Sequence, residues 1–127
     1  MKKTDNRNIN IALLGAGTVG GGVYRLIKEN REEFKDRTGA VINVKKVLVR
    51  DMSKDRPGFD KAVLTDDFNE IISDKDIEIV VELMGGLHPA LEFVKESLKA
   101  GKQVVTANKD LIAAHGALIG NLAGQMG

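Results

Sequence analysis

Gly15-Ala16-Gly17-Thr18-Val19-Gly20 has the spacing G-x-G-x-x-G. Glycines so placed can cradle a pyrophosphate. Gly15 permits a tight turn, and Gly17 removes a side chain where phosphates approach the backbone. Gly20 lets a following helix pack close to the preceding strand. The N–H groups of that helix's first turn, Thr18 and Val19 among them, then face the anion. Alone the pattern is weak, and its context gives it meaning. Ile9-Asn10-Ile11-Ala12-Leu13-Leu14 is a short, mostly apolar run ended by glycine, which reads as a buried strand. Val19, Val23, Leu26 and Ile27 then fall at i, i+4, i+7 and i+8, one face of a helix. The bland alternative is that the glycines serve packing alone. Gly21 and Gly22 extend the run, and each costs about 1 kcal/mol against alanine in a helix interior. Close approach of another chain segment or of a ligand would account for them, and so would simple tolerance.

Three further positions can do chemistry. The end of the second strand in such a unit reads the adenosine ribose: an acidic residue bonds a 2′-hydroxyl, and an arginine accommodates a 2′-phosphate. Val47-Leu48-Val49 leads into Arg50 and Asp51, with Arg50 30 residues past Gly20. A guanidinium there favours a phosphate through paired, charge-assisted hydrogen bonds, and Lys54 and Arg56 add to the field. The expectation is NADP in preference to NAD. The alternative is a solvated Arg50 with Asp51 on a ribose. Glu82 ends an apolar run, where ligands bind in this architecture, or else it is a solvated strand-end carboxylate. Lys109 follows Asn108, a candidate helix cap, so it falls in a helix's first turn. The positive end of the helix dipole disfavours a cation there and pushes an ammonium toward deprotonation, which suits a proton donor and acceptor. The alternative is an exposed lysine beside Asp110. His88, before Pro89, reads as a helix cap, and His115 as structural.

These residues need a scaffold. The first helix is expected over 20–34, fading into charged residues to 37, with Gly39 turning out. Ile42, Val44 and Val47-Leu48-Val49 predict a second strand, and 51–60, with Pro57-Gly58, a loop. A weak helix follows, capped by Asp67 with Glu70 as reciprocal partner. The third strand spans 77–83 and ends at Gly85-Gly86. Pro89 suits the first turn of a helix whose apolar face is Leu91, Val94 and Leu98, with Gly101 at its C-terminal end. Gln103-Val104-Val105-Thr106 is a fourth strand. A last helix starts at Asn108, breaks at Gly116 and resumes through Leu118 and Leu122. Alternating strands and helices predict an α/β fold, a doubly wound parallel sheet of Rossmann type, as one domain over 1–127.

Composition narrows the class. The chain has 127 residues, 43% apolar and 29% charged, with a net charge of +1, so no global charge favours nucleic acid or a membrane surface. It has no cysteine, and its two histidines lie 27 residues apart, so no metal site is expected. The apolar run near the N-terminus is too short for a signal or a span, which points to the cytoplasm.

Val81-Glu82-Leu83-Met84-Gly85-Gly86-Leu87-His88-Pro89-Ala90 and Val104-Val105-Thr106-Ala107-Asn108-Lys109 complete a pattern. With the glycine-rich turn and Val49-Arg50-Asp51, they resemble the cofactor domain of homoserine dehydrogenase. That family reduces L-aspartate 4-semialdehyde reversibly to L-homoserine with NAD(P)H, for threonine, methionine and isoleucine biosynthesis. The resemblance implies that Glu82, Gly85 and Gly86 lie near the nicotinamide and its ribose. It implies the same neighbourhood for Thr106 and Asn108, with Lys109 in the catalytic cleft protonating the developing alkoxide.

In that family a substrate-binding and dimer-forming region follows the cofactor domain. The chain reaches Gly127 before it, so the expectation is a piece that binds dinucleotide without turnover, from a homo-oligomeric enzyme. The start at Met1 argues mildly against an upstream aspartokinase module. The alternatives are another amino-acid or semialdehyde dehydrogenase, a stand-alone NAD(P)-sensing regulatory module, and an S-adenosylmethionine domain. Arg50 argues against the last, because an acidic residue usually holds ribose hydroxyls there.

Overall fold

The computed structural model describes residues 7–106 and Asn108. In chain order the elements are β1 (Arg7–Leu14), α1 (Thr18–Glu29), α2 (Arg31–Thr38), β2 (Ala40–Leu48), a 3-10 turn (Lys61–Val63), β3 (Leu64–Thr65), α3 (Asn69–Ile72), β4 (Ile77–Glu82), α4 (Ala90–Lys99) and β5 (Gln103–Thr106). The strands pair in parallel in the order β3-β2-β1-β4-β5. β1 is central because it is apolar on both faces. Ile11 and Leu13 join α1's Tyr24 on one face, whereas Ala12 and Leu14 join Ile71, Ile77 and Val80 on the other. Such a strand requires helices on both sides. The expected doubly wound α/β sheet is the one observed.

Several boundaries differ from expectation. The first helix is two helices, because Asn30 turns its side-chain Nδ2 onto the Leu26 carbonyl (2.8 Å) and leaves helical geometry at φ −108°, ψ 20°. α2 has Glu32 and Glu33 in its first turn and Lys35 and Arg37 in its last, which suits the helix dipole, and it ends at Gly39 in the left-handed conformation. The buried face of α1 overlaps the expected one only in part: Val23 and Ile27 pack against the core as expected. Gly20 and Tyr24 are buried, while Val19 and Leu26 are 59% and 56% exposed. Tyr24 anchors that face by stacking on Phe59 at 4.7 Å. β3 was not expected, since two residues carry no alternation; it pairs Leu64 and Thr65 with Val47 and Leu48. Asp67 accepts from the Asn69 N–H (2.9 Å), but Glu70 pairs with Lys46 (3.3 Å) instead of reciprocating.

The apolar face of α4 is as expected, with Leu91, Val94 and Leu98 buried. Below it, Lys102 is buried and donates to the carbonyls of Asp74 and Ile77, both at 2.8 Å. This clamp joins α3's exit to the N-terminal ends of β4 and β5. The last expected helix, with Leu118, Leu122, His115 and Gly116, lies outside the described residues, as does Lys109. Among the described residues no helix is long and apolar enough to cross a membrane, and no cluster of acidic residues and histidines could hold a metal.

Candidate functional site

Strand order reverses on either side of β1, and the crevice opens at the C-terminal ends of β1 and β4. Ligands bind at such a switch point. The Gly15–Gly20 turn sits there, pinned on both sides: the Gly15 N–H donates to Leu48 O (3.0 Å), and the Leu83 N–H donates to Leu14 O (2.9 Å).

The three motif glycines have different reasons to be glycine. Gly15 has φ +114°, and a Cβ there would lie 3.2 Å from Leu83 O. A Cβ on Gly20 would lie 2.3 Å from Gly15 O, an impossible overlap with backbone. The fold therefore requires both. Gly17 is different, since a Cβ would meet nothing within 4 Å, and its φ of −75° suits any residue. Its bare Cα faces open space in front of α1. No side chain caps that helix, and no acid stands in its first turn. Helix-start N–H groups lack intrahelical partners, so the space before Thr18 and Val19 is suited to an anion.

The turn leads into a cleft of about 770 Å³, lined by Gly15, Gly17, Arg50, Asp51, Leu83 and Met84 among others. A second hollow of about 690 Å³ adjoins it and shares Ala16, Gly17, Lys54 and Arg56. Sequence reasoning missed the apolar wall of Met84, Pro89 and Phe93; nothing in the local pattern separates such positions from core. Phe93 stacks on Phe68 at 4.2 Å, which carries α4 to the cleft.

The charged rim lies on the β2 side. Arg50 is exposed and has no partner among the described residues. Asp51 is turned back on its own loop, where its Oδ1 accepts from the Ser53 N–H (2.9 Å) and Oγ (2.5 Å). Those bonds hold its carboxyl below the usual carboxylate range, and Arg56 and Lys54 add a smaller pull. Arg56 donates to the Asp51 carbonyl at 2.6 Å, so the loop is closed on itself.

The β4–β5 side is built differently. Glu82 is fully buried. Its Oε2 accepts from the Met84 N–H (2.8 Å) and its Oε1 from Thr106 Oγ1 (2.5 Å). Asn108, also buried, donates its Nδ2 to Gly86 O (2.6 Å) and lies 3.5 Å from Glu82 Oε2. Gly85 and Gly86 are left-handed at φ +76° and +72°. Glu82, Thr106 and Asn108 thus come together, but the Glu82 carboxylate points into the protein. His88 does not cap α4; its Nδ1 meets Glu92 one turn on, at 2.8 and 2.9 Å, and this bond lowers the Glu92 pKa.

Residues 15–127 match the family model described as homoserine dehydrogenase, NAD binding domain. The homoserine dehydrogenase of Corynebacterium glutamicum is 46% identical over 115 residues, which is 91% of this chain and 26% of that protein. That of Lactococcus lactis is 45% identical over 124 residues, covering 91% and 28%. A crystal structure of S. aureus homoserine dehydrogenase superposes with a TM-score of 0.89 at 46% identity, over 94% of this chain and 30% of that one. A hyperthermophilic archaeal homoserine dehydrogenase in complex with NADPH gives a TM-score of 0.72 at 27% identity, over 93% and 41%. The chain spans about a quarter of the length of these curated relatives.

Proposed function

Because the chain belongs to the homoserine dehydrogenase family and corresponds to its NAD-binding domain, we propose that it binds a nicotinamide dinucleotide across the Gly15–Gly20 turn. Within a longer protein it would serve the reversible reduction of L-aspartate 4-semialdehyde to L-homoserine. Gly17 carries this reading. The fold explains Gly15 and Gly20, whereas no contact among the described residues explains Gly17, whose missing side chain is room for a pyrophosphate. Thr18, Val19 and Gly20 offer their N–H groups to it.

The nucleotide is proposed to be NADP in preference to NAD. Arg50 is exposed, and one oxygen of the neighbouring Asp51, Oδ1, is already engaged by Ser53. Lys54 and Arg56 add positive charge to the same rim. The bound nicotinamide supplies or takes a hydride. The chain's part is to hold it, with Gly85, Gly86, Thr106 and Asn108 shaping its end of the cleft. Lys109 gives a proton to the alkoxide oxygen or takes it back. In this reading 1–127 is one nucleotide-binding domain. A following domain holds the small-molecule substrate and makes the enzyme a homo-oligomer, working in the cytoplasm without nucleic acid or membrane.

The test is a titration of the 127-residue chain with NADPH, NADH and S-adenosylmethionine, by fluorescence and calorimetry. NADPH should bind tightest. Arg50→Ala should remove about 1.5–3 kcal/mol, the worth of a hydrogen bond to a charged group, and so bring NADPH close to NADH. Equal binding of NADH by the unaltered chain would refute the Arg50 argument. Binding of S-adenosylmethionine alone would refute the nucleotide reading.

A further inference from the structure

We propose that Glu82 is a positioning residue that sets the nicotinamide end of the cleft, its buried carboxylate tying the loop after β4 to the loop after β5. The proposal rests on the nucleotide reading above.

A carboxylate removed from water is costly unless fully hydrogen-bonded, and an apolar residue in its place often costs less. Glu82 is 0% exposed and joins none of the ion pairs among the described residues. What it does instead is close a ring. Its two oxygens take the Met84 N–H and the Thr106 hydroxyl. Thr106 Oγ1 in turn accepts from the Asn108 N–H at 3.0 Å, and Asn108 returns to the first loop through Gly86 O.

The ring matters because of what it encloses. Gly85 and Gly86 are consecutive left-handed glycines, and among the described residues no atom lies within 4 Å of where either Cβ would stand. Glycine has the freest backbone of any residue, so this loop has no steric reason to keep one position. The Glu82–Met84 and Asn108–Gly86 bonds supply that order. Met84 and Leu83 line the cleft directly. Glu82 therefore acts through the loop and not by touching a ligand. Because the ring stands at β4 and β5, across β1 from Arg50, its reach is one half of a dinucleotide: the nicotinamide half, if the adenosine half lies at β2.

The test uses the 127-residue chain with two probes, NADPH and 2′-phospho-ADP-ribose, which is the same molecule without nicotinamide. Glu82→Ala should weaken NADPH about tenfold, the equivalent of about 1.4 kcal/mol, and leave the truncated probe within about twofold. Glu82→Gln keeps an acceptor for the Met84 N–H and should restore most of the loss. Should circular dichroism show Glu82→Ala unfolded, Thr106→Val, which at constant shape removes a donor to Glu82 and the acceptor of the Asn108 N–H, carries the same comparison. Equal weakening of both probes would reduce Glu82 to a stability role and overturn the proposal. An unaltered chain that binds both probes equally would overturn it while sparing the nucleotide reading. An unaltered chain that binds neither would refute that reading, and this one with it.

Discussion

Alanine at Gly17 and alanine at Gly20 should have opposite consequences, although both delete a motif glycine. At Gly20 the new methyl would stand 2.3 Å from Gly15 O, so α1 must move off the turn by about an ångström. Overpacking of this kind costs about 1–3 kcal/mol when side chains can yield. Here the obstacle is backbone, so the upper end applies. In a chain of this size that is a melting temperature lower by roughly 10 °C. At Gly17 the methyl meets nothing within 4 Å, and φ −75° is open to alanine. Two small terms then oppose each other. Restricting the unfolded chain stabilises by about 0.4–1 kcal/mol, while alanine is a poorer helix cap than glycine by a similar amount. The net change should be under about 1 kcal/mol. Binding is another matter, because the methyl occupies the pyrophosphate's approach. A clash of about 1–3 kcal/mol is a loss of about 5- to 150-fold. Thermal melts and NADPH titrations of both variants make the comparison. A Gly17→Ala chain that binds NADPH as tightly as the unaltered one would refute the claim that this glycine is kept for a ligand.

Lys102→Met keeps the stem but removes two hydrogen bonds to Asp74 O and Ile77 O, and should lower the urea-derived stability by about 1–3 kcal/mol. Stability should also fall in acid. Asp74 is held below its ordinary pKa of 3.8, first by its hydrogen bond from Lys45 at 2.7 Å, and Asp51 and Glu92 are lowered too. Carboxylates with depressed folded-state pKa values contribute stability above their unfolded pKa and lose it as pH falls through the folded one. Urea midpoints should therefore hold down to about pH 4.5 and decline below it. Lys45→Ala should make that decline shallower, and an unchanged slope would remove the Lys45–Asp74 pair from the account. In the longer enzyme proposed above, Lys109→Ala should reduce kcat by at least about 100-fold, the lower range for general acid–base catalysis. An unaltered kcat would exclude Lys109 from proton transfer.

The middle of the sheet was legible because β1 and β4 are short apolar runs closed by glycine, a pattern that burial on two faces forces. The glycine-rich turn was legible for the same reason: its context, strand before and helix after, is local. What the sequence concealed depends on distance in space. The face of α1 is chosen by Tyr24 finding Phe59, 35 residues away, and by Gly20 touching Gly15, so the apolar spacing of Val19 and Leu26 misled. Glu82 read as a ligand at a strand end because its partners, Thr106 and Asn108, are 24 and 26 residues on, and no local pattern shows that they satisfy it. Asp51 gives no local sign either that its Oδ1 is engaged by Ser53 in its own loop.

The two ends of the cleft are built to different electrostatic designs, and this bears on which way a dinucleotide would lie. The β2 end is a rim open to water where Arg50, Lys54 and Arg56 outnumber Asp51 and Asp66, which suits phosphate, where charge must be met by charge. The β4–β5 end is walled by Leu83, Met84 and Phe93, and behind it the Glu82 carboxylate is turned inward and satisfied. A ring that exchanges hydride benefits from a site that excludes water and presents no stray anion, since electrostatic effects grow as water leaves. Reversing the ligand would bring a phosphorylated ribose against the apolar wall and leave the basic rim unmatched. The proposed direction, adenosine on β2 and nicotinamide on β4–β5, therefore follows from the division of charge as well as from the strand order. It makes a further demand on the Arg50→Ala chain. That variant should lose affinity for 2′-phospho-ADP-ribose as much as for NADPH, because both carry the phosphate that Arg50 would meet. An Arg50→Ala chain that weakens NADPH but spares the truncated probe would mean that the ligand lies the other way round.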